Sequence, residues 1–305
     1  MNLAHALERT ARHRPETRAL SGRGVDGART YADVAERVER LAGGLDRLGV
    51  ESGDRVAVLM KNRAAFIETS FAVYRLGALK VPLNSMLTAS EHEMLVEDAG
   101  ADTLVVAASF LEHCREMETD FETVIIVGGD DPDPSFGSTT AAYEELVAGA
   151  GPTAEMVDVD PEDRCALMYT SGTTGRPKGV QHTHGTWLST ALELKSVLEQ
   201  DAGEVTLHAA PLTHGTGFLV ESTVLAGGTN HVQDGFEPTR FLETVESAGV
   251  NTVFLAPTMI YKLLDNYDGG DRYDTDSLRS VYYAGSPMTA ARIEEGIEKL
   301  GDVFV

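Results

Sequence analysis

Residues 168–180 read "MYTSGTTGRPKGV": an apolar entry, then a cluster of hydroxyl residues, glycines and one lysine. Thr170, Ser171, Thr173 and Thr174 forgo apolar contact here. Gly172, Gly175 and Gly179 forgo backbone order, at roughly 0.5–1 kcal/mol each in a regular element. No packing requirement selects that composition. The backbone N–H groups of such a turn form a concave nest for anions, hydroxyls add donors, and Lys178 adds a compact positive charge suited to phosphate. The apolar run "RCALMY" (164–169) before it predicts a strand, and a helix is expected from about 185 to 199. Strand, loop and helix in that order make an anion site. The G-x-x-x-x-G-K-[ST] loop of kinases and NTPases is a poor match, because it needs glycine where this chain has Pro177 and a hydroxyl where it has Gly179.

Composition narrows the setting. The chain has 305 residues, enough for about two domains, with 42% hydrophobic and 24% charged residues. No run approaches the ~18 apolar residues of a membrane span, and the N-terminal segment is amphipathic rather than a secretory leader. Cys114 and Cys165 lie far apart without metal-ligand spacing, which predicts small buried hydrophobes and a cytoplasmic location. Acidic residues outnumber basic ones by 48 to 25, a net charge of −23, and only six lysines are present. The excess is spread along the whole chain, so nucleic acid is excluded as a partner, since binding it needs positive charge. Self-repulsion of this size is tolerable where salt screens it, which predicts a high-salt cytoplasm; an acidic protein of ordinary salt is the alternative.

The remainder alternates between strand-like and helix-like segments. Val34, Val38, Leu41, Leu45 and Leu48 fall on one helical stripe, with Thr30 expected as N-cap and Gly49 just past the C-terminus. A helix opened by Asn62 follows the apolar run "RVAVLM", and Ser90 and Glu93 have capping-box spacing. "TLVVA" (103–107) and "TVIIV" (123–127) read as buried parallel strands, and similar runs recur at "VTLHAA", "TVFLA", "SVYYA" and "DVFV". The fold class is therefore α/β, with parallel sheet covered by helices. Two solvated stretches, 128–140 and 149–160, place the expected seam between an α/β subdomain at 1–150 and a second at 151–305 that carries the Gly/Thr loop.

"TSGTTGRPKG" resembles the phosphate-loop signature of the adenylate-forming superfamily, which includes acyl-CoA synthetases, peptide-synthetase adenylation domains and firefly luciferase. Weaker similarities run along nearly the whole chain: "TYADVAERVERLAGGL", "YRLGALKVPLN", "PLTHGTGF" and "YYAGSPM". The resemblance implies the large N-terminal domain of that superfamily, two stacked and mostly parallel sheets covered by helices. It implies an AMP-forming ligase that uses ATP with Mg2+ and passes the acyl group to CoA. Thr170, Ser171, Gly172, Thr173, Thr174, Gly175 and Lys178 would contact the nucleotide, Ala284, Gly285 and Ser286 would flank adenine, and His214 would stand between the acyl group and the α-phosphate. Gly215 and Gly217 beside it would let the acyl chain pass close to the backbone.

Other candidates carry less. His182 and His184 form an H-x-H pair without a third ligand nearby, which favours a structural role at a helix start. Trp187, Tyr282 and Tyr283 are expected in the core. The superfamily's Tyr-Gly-x-Thr-Glu motif, ribose-binding aspartate and mobile C-terminal domain do not occur in these 305 residues, so the stretch alone is expected to be catalytically incomplete. The histidine-type "PLTHGTGF" motif favours a free carboxylic acid over an amino acid, while fatty, aryl and other acids stay open. A non-catalytic module that binds nucleotide or acyl-adenylate is the alternative, and the oligomeric state stays open.

Overall fold

The computed structural model describes residues 1–129, 137–149, 154–170, 178–270 and 272–305. In chain order the elements begin with α1 (Ala4–His13), β1 (Arg18–Gly22), β2 (Ala28–Thr30), α2 (Tyr31–Arg47), β3 (Arg55–Leu59), α3 (Ala64–Arg75) and β4 (Leu79–Pro82). They continue with α4 (Ala89–Ala99), β5 (Thr103–Ala107), α5 (Leu111–Arg115), β6 (Thr123–Val127), β7 (Thr139–Ala142), α6 (Tyr143–Ala148), β8 (Arg164–Thr170) and β9 (Lys178–Thr183). The last are α7 (His184–Val197), β10 (Val205–His208), α8 (Phe218–Ala226), β11 (Thr229–Val232), α9 (Pro238–Ala248), β12 (Thr252–Leu255), α10 (Pro257–Asn266), β13 (Ser280–Tyr283) and α11 (Ala290–Leu300).

The chain divides into two compact units. One comprises 1–9, 33–61 and 65–189; the other comprises 10–32, 62–64 and 190–305. The seam expected at 150/151 falls inside the first unit, because β8 pairs with β4 and is part of that unit's sheet.

The first unit holds a seven-stranded sheet in the order β7-β6-β5-β3-β4-β8-β9, parallel except for the final β8–β9 pair. β5 and β6 are buried at every position, which is why their sequences are near-continuous Val and Ile rather than alternating. The helical stripe of α2 buries Val34, Val38, Leu41 and Leu45, as its spacing requires, while Leu48 is only half-buried. The capping box of α4 is set by Thr88 and Glu91 rather than by Ser90 and Glu93: Thr88 Oγ1 accepts from the Glu91 N–H, and Glu91 Oε2 accepts from the Thr88 N–H. Glu93 instead accepts from the Glu118 N–H. The Glu68 carboxylate is fully buried. Arg37 donates to both its oxygens at 2.9 and 3.2 Å, and the Tyr143 hydroxyl donates at 2.8 Å.

The second unit holds a six-stranded sheet in the order β13-β12-β10-β11-β1-β2, in which only the β1–β2 pair is antiparallel. Its core packs Leu207, Phe241, Val245, Val253, Leu255, Ile260 and Val281 from strands and helices together. Because β10, β12 and β13 run parallel, the segments that leave them emerge at one end of the sheet. In open α/β sheets that end is where ligands bind.

Candidate functional site

In the first unit, β8 and β9 form an antiparallel hairpin in which Thr170 pairs with Lys178. Both are exposed. Ser171, Gly172, Thr173, Thr174 and Gly175 lie outside the described residues. The expected strand–loop–helix order is corrected here: a strand, β9, follows the loop, and α7 begins only at His184. Lys178 is therefore the first residue of a strand held in register with β8, and the N-terminus of α7 lies a strand's length further along the chain.

Behind this hairpin, Lys80 is buried at 3% exposure on β4, in register with Ala166 of β8. Its Nζ donates to Ser70 Oγ at 3.1 Å and stands 5.0 and 5.1 Å over the rings of Trp187 and Tyr74. An ammonium surrounded by ring faces recovers part of its lost hydration through cation–π attraction. Trp187 is thus a core residue, as expected from sequence, and its ring faces that cation. His184 Nδ1 accepts from the Leu3 N–H at 3.2 Å, and burial lowers its pKa to about 4. His182 packs edge-on to Trp187, with its pKa lowered by burial and by the Lys80 charge. Both histidines are built into the framework.

In the second unit, β10 leads into the "PLTHGTGF" turn. His214 is exposed, and partial burial of the ring lowers its pKa, leaving a neutral imidazole at pH 7. The turn closes on itself through the His214 N–H to the Pro211 carbonyl at 3.0 Å and the Gly217 N–H to the His214 carbonyl at 2.8 Å. The glycines on either side of Thr216 have packing reasons of their own. A Cβ at Gly215 would meet the Phe254 ring, and one at Gly217 would meet the Leu212 carbonyl oxygen.

Ala284, Gly285 and Ser286 directly follow β13. Ala284 is half-buried against a small cluster that contains Leu198, Ala210, Leu219 and Phe254, whereas Gly285 and Ser286 are exposed. A Cβ on Gly285 would meet nothing within 4 Å, so glycine is selected by its φ of +97° rather than by a crowded approach. Phe254, on β12 between β10 and β13, ties the two segments together: its ring lies under Gly215 and 5.6 Å from that of Tyr282. The second unit therefore brings His214 and 284–286 to one end of one sheet. Phe254 was not legible as a site residue, since nothing in "TVFLA" separates it from its apolar neighbours.

Among the described residues, no group of three or more His, Cys, Asp or Glu is placed to hold a metal ion. Among the same residues, no helix is long and apolar enough to cross a membrane, and Cys114 and Cys165 are buried and not joined in a disulfide.

A family model described as "AMP-binding enzyme" matches residues 7–305. The feruloyl-CoA synthase of Amycolatopsis sp is 38% identical over 292 residues, which is 92% of this chain and 54% of that protein. The crystal structure of a long-chain-fatty-acid-CoA ligase, FadD1, from Archaeoglobus fulgidus superposes with a TM-score of 0.90 at 25% identity, covering 99% of this chain and 62% of that one. The anthranilate CoA ligase AuaEII, solved with anthranoyl-AMP, gives 0.88 at 26% identity, covering 100% and 59%. The chain spans about half the length of the curated relatives it matches.

Proposed function

This chain belongs to the AMP-binding enzyme family, and from that membership we propose that it is the nucleotide- and acid-binding portion of an AMP-forming acid–CoA ligase. In the first step an oxygen of the acid's carboxylate attacks the α-phosphorus of ATP, the bond to the bridging oxygen breaks, and pyrophosphate leaves. In the second step the CoA thiol displaces AMP from the acyl carbon and gives up its proton. The obstacle in the first step is charge, because a carboxylate anion must meet a polyanion.

Residues 170–178 answer that obstacle. Their N–H and hydroxyl donors, with the Lys178 ammonium, hold the β- and γ-phosphates and the departing pyrophosphate. The observation that carries the reading is the register of Thr170 opposite Lys178, which holds the ends of the Gly/Thr segment together on paired strands. His214 stands between the acyl carboxylate and the α-phosphate. A neutral imidazole there leaves the carboxylate unpaired, and so nucleophilic, while it offers one N–H to an oxygen. Ala284–Ser286 flank the adenine. The acid is a free carboxylic acid, in line with feruloyl, anthranilate and long-chain fatty acid in the names of the relatives. The protein works in a high-salt cytoplasm.

The test is ATP affinity, measured by calorimetry, in Thr173→Val combined with Lys178→Ala. The reading expects at least tenfold weaker binding, about 1.4 kcal/mol or more. Unchanged affinity removes the phosphate-binding assignment.

A further inference from the structure

The turn that carries His214 is held at both ends by side chains to which the reaction assigns no work. Asn62 is 6% exposed and belongs to the same unit as the turn, although some 150 residues separate them. From sequence it is expected to open a helix, but its side chain does something else. Its Nδ2 donates to the carbonyls of His208 at 3.1 Å and Ala210 at 2.7 Å, and its Oδ1 accepts from the Leu212 N–H at 2.8 Å. One carboxamide thus satisfies three backbone groups across 208–212, the stretch that leads from the end of β10 into the turn.

At the far end, Thr216 is fully buried, with its Oγ1 3.0 Å from His208 Nδ1, and His208 Nε2 lies 2.7 Å from Asn230 Oδ1. A carboxamide oxygen only accepts, so with the Asn230 amide in this orientation Nε2 carries the imidazole proton. His208 Nδ1 then accepts from the Thr216 hydroxyl. Complete burial favours the neutral ring that this arrangement needs.

The geometry points to Asn62 and His208 as positioning residues for His214: Asn62 fixes where the turn begins, and His208, through Thr216, fixes where it ends. Between them the turn is closed by local backbone hydrogen bonds, from the His214 N–H to the Pro211 carbonyl, the Gly217 N–H to the His214 carbonyl and the Phe218 N–H to the Gly215 carbonyl, while His214 itself is exposed, and a short segment so held exchanges conformers unless its ends are fixed. A displacement of about 1 Å in a group that meets the reacting atoms is enough to cost orders of magnitude in rate. The inference rests on the role given to His214 above.

Binding of two ligands separates positioning from plain stability. Calorimetry would compare ATP with hydrolysis-inert sulfamoyl analogues of benzoyl- and octanoyl-adenylate, on wild type, Asn62→Ala and Thr216→Val. ATP is gripped chiefly through its β- and γ-phosphates at 170–178, whereas the analogues lack those phosphates and depend on the acyl junction beside His214. The expected result is at least tenfold weaker analogue binding in Asn62→Ala and a three- to tenfold loss in Thr216→Val, with ATP affinity changed less than threefold in both. Equal losses for ATP and analogue, or an unchanged analogue affinity in a folded variant, overturn the inference. If Asn62→Ala does not fold, Thr216→Val decides by the same split, and failure of both to fold makes these framework residues only. A wild-type chain that binds ATP but neither analogue removes the role of His214 and this inference with it. Binding of neither ligand removes the proposed function itself.

Discussion

A Cβ atom built on Gly215 would stand 2.6 Å from Cζ of Phe254, closer than real Cβ contacts come. Phe254 is 7% exposed on a central strand, so its ring has little room to retreat. Gly215→Ala is therefore expected to destabilise the protein by about 1–3 kcal/mol, the usual range for an overpacked core. Phe254→Leu also costs stability by itself, but the double variant should lose less than the sum of the two, because the smaller side chain removes the clash. Urea unfolding of both single variants and the double variant measures the coupling, and strict additivity would separate the two residues.

Acid should unfold the protein through its buried histidines. His208 is completely buried and its pKa is lowered to about 4 by desolvation, against roughly 6.5 in an unfolded chain. The folded state therefore binds fewer protons than the unfolded one between those values. This stabilisation is complete above about pH 6.5 and is lost as pH falls toward 4, by about 3 kcal/mol at most. Chemical unfolding from pH 7 to 4.5 should show a falling midpoint, and His208→Gln should flatten that slope even if it lowers stability at pH 7. An identical slope in the variant would assign the acid sensitivity elsewhere.

The two carboxylates that meet Arg37 should differ sharply in value. Glu68 is fully buried, and its removal leaves the Tyr143 hydroxyl and part of the guanidinium without a partner, so Glu68→Ala is expected to cost about 3–5 kcal/mol. Glu144 meets the same guanidinium at 2.9 Å but its side chain is 66% exposed, and Glu144→Ala is expected to cost less than about 1 kcal/mol. Thermal unfolding of the two variants side by side gives the ratio. Comparable losses would show that the buried carboxylate is no more firmly used than the surface one.

Salt should stabilise the chain. With a net charge of −23, like-charge repulsion is strongest at low ionic strength. The melting temperature is expected to rise from about 0.1 M to 2 M KCl and to keep rising after the Debye length has fallen to roughly 3 Å near 1 M. A melting temperature that is flat or falls over that range contradicts a high-salt setting.

Elements whose residues have one clear environment were legible in the sequence. β5 and β6 are buried on both faces, and α2 has a single apolar stripe, so pattern and burial agree. β9 was missed because its first four residues, Lys178 to Gln181, are exposed on an edge strand that includes a glycine, where neither alternation nor β-propensity gives a signal. At α4, two overlapping Ser/Thr-x-x-Glu patterns are present, and only the direction of chain entry selects Thr88 and Glu91 over Ser90 and Glu93. In the candidate site, the glycines stand out in sequence, but their reasons do not: Gly215 answers to a ring on another strand, and Gly285 to a positive φ. Asn62 looks like a helix opener because carboxamides are common there, and its three long-range bonds leave no local trace.

The most direct test of the proposed chemistry is acid-dependent exchange of labelled pyrophosphate into ATP, run on the protein extended to the length of its relatives and on residues 1–305 alone. The extended protein is expected to exchange label only when a carboxylic acid is supplied, with aryl and long-chain acids screened in parallel, and 1–305 alone is expected to be far slower. Absence of exchange with every acid, in an extended protein that still binds ATP, would contradict a ligase and leave a nucleotide-binding module.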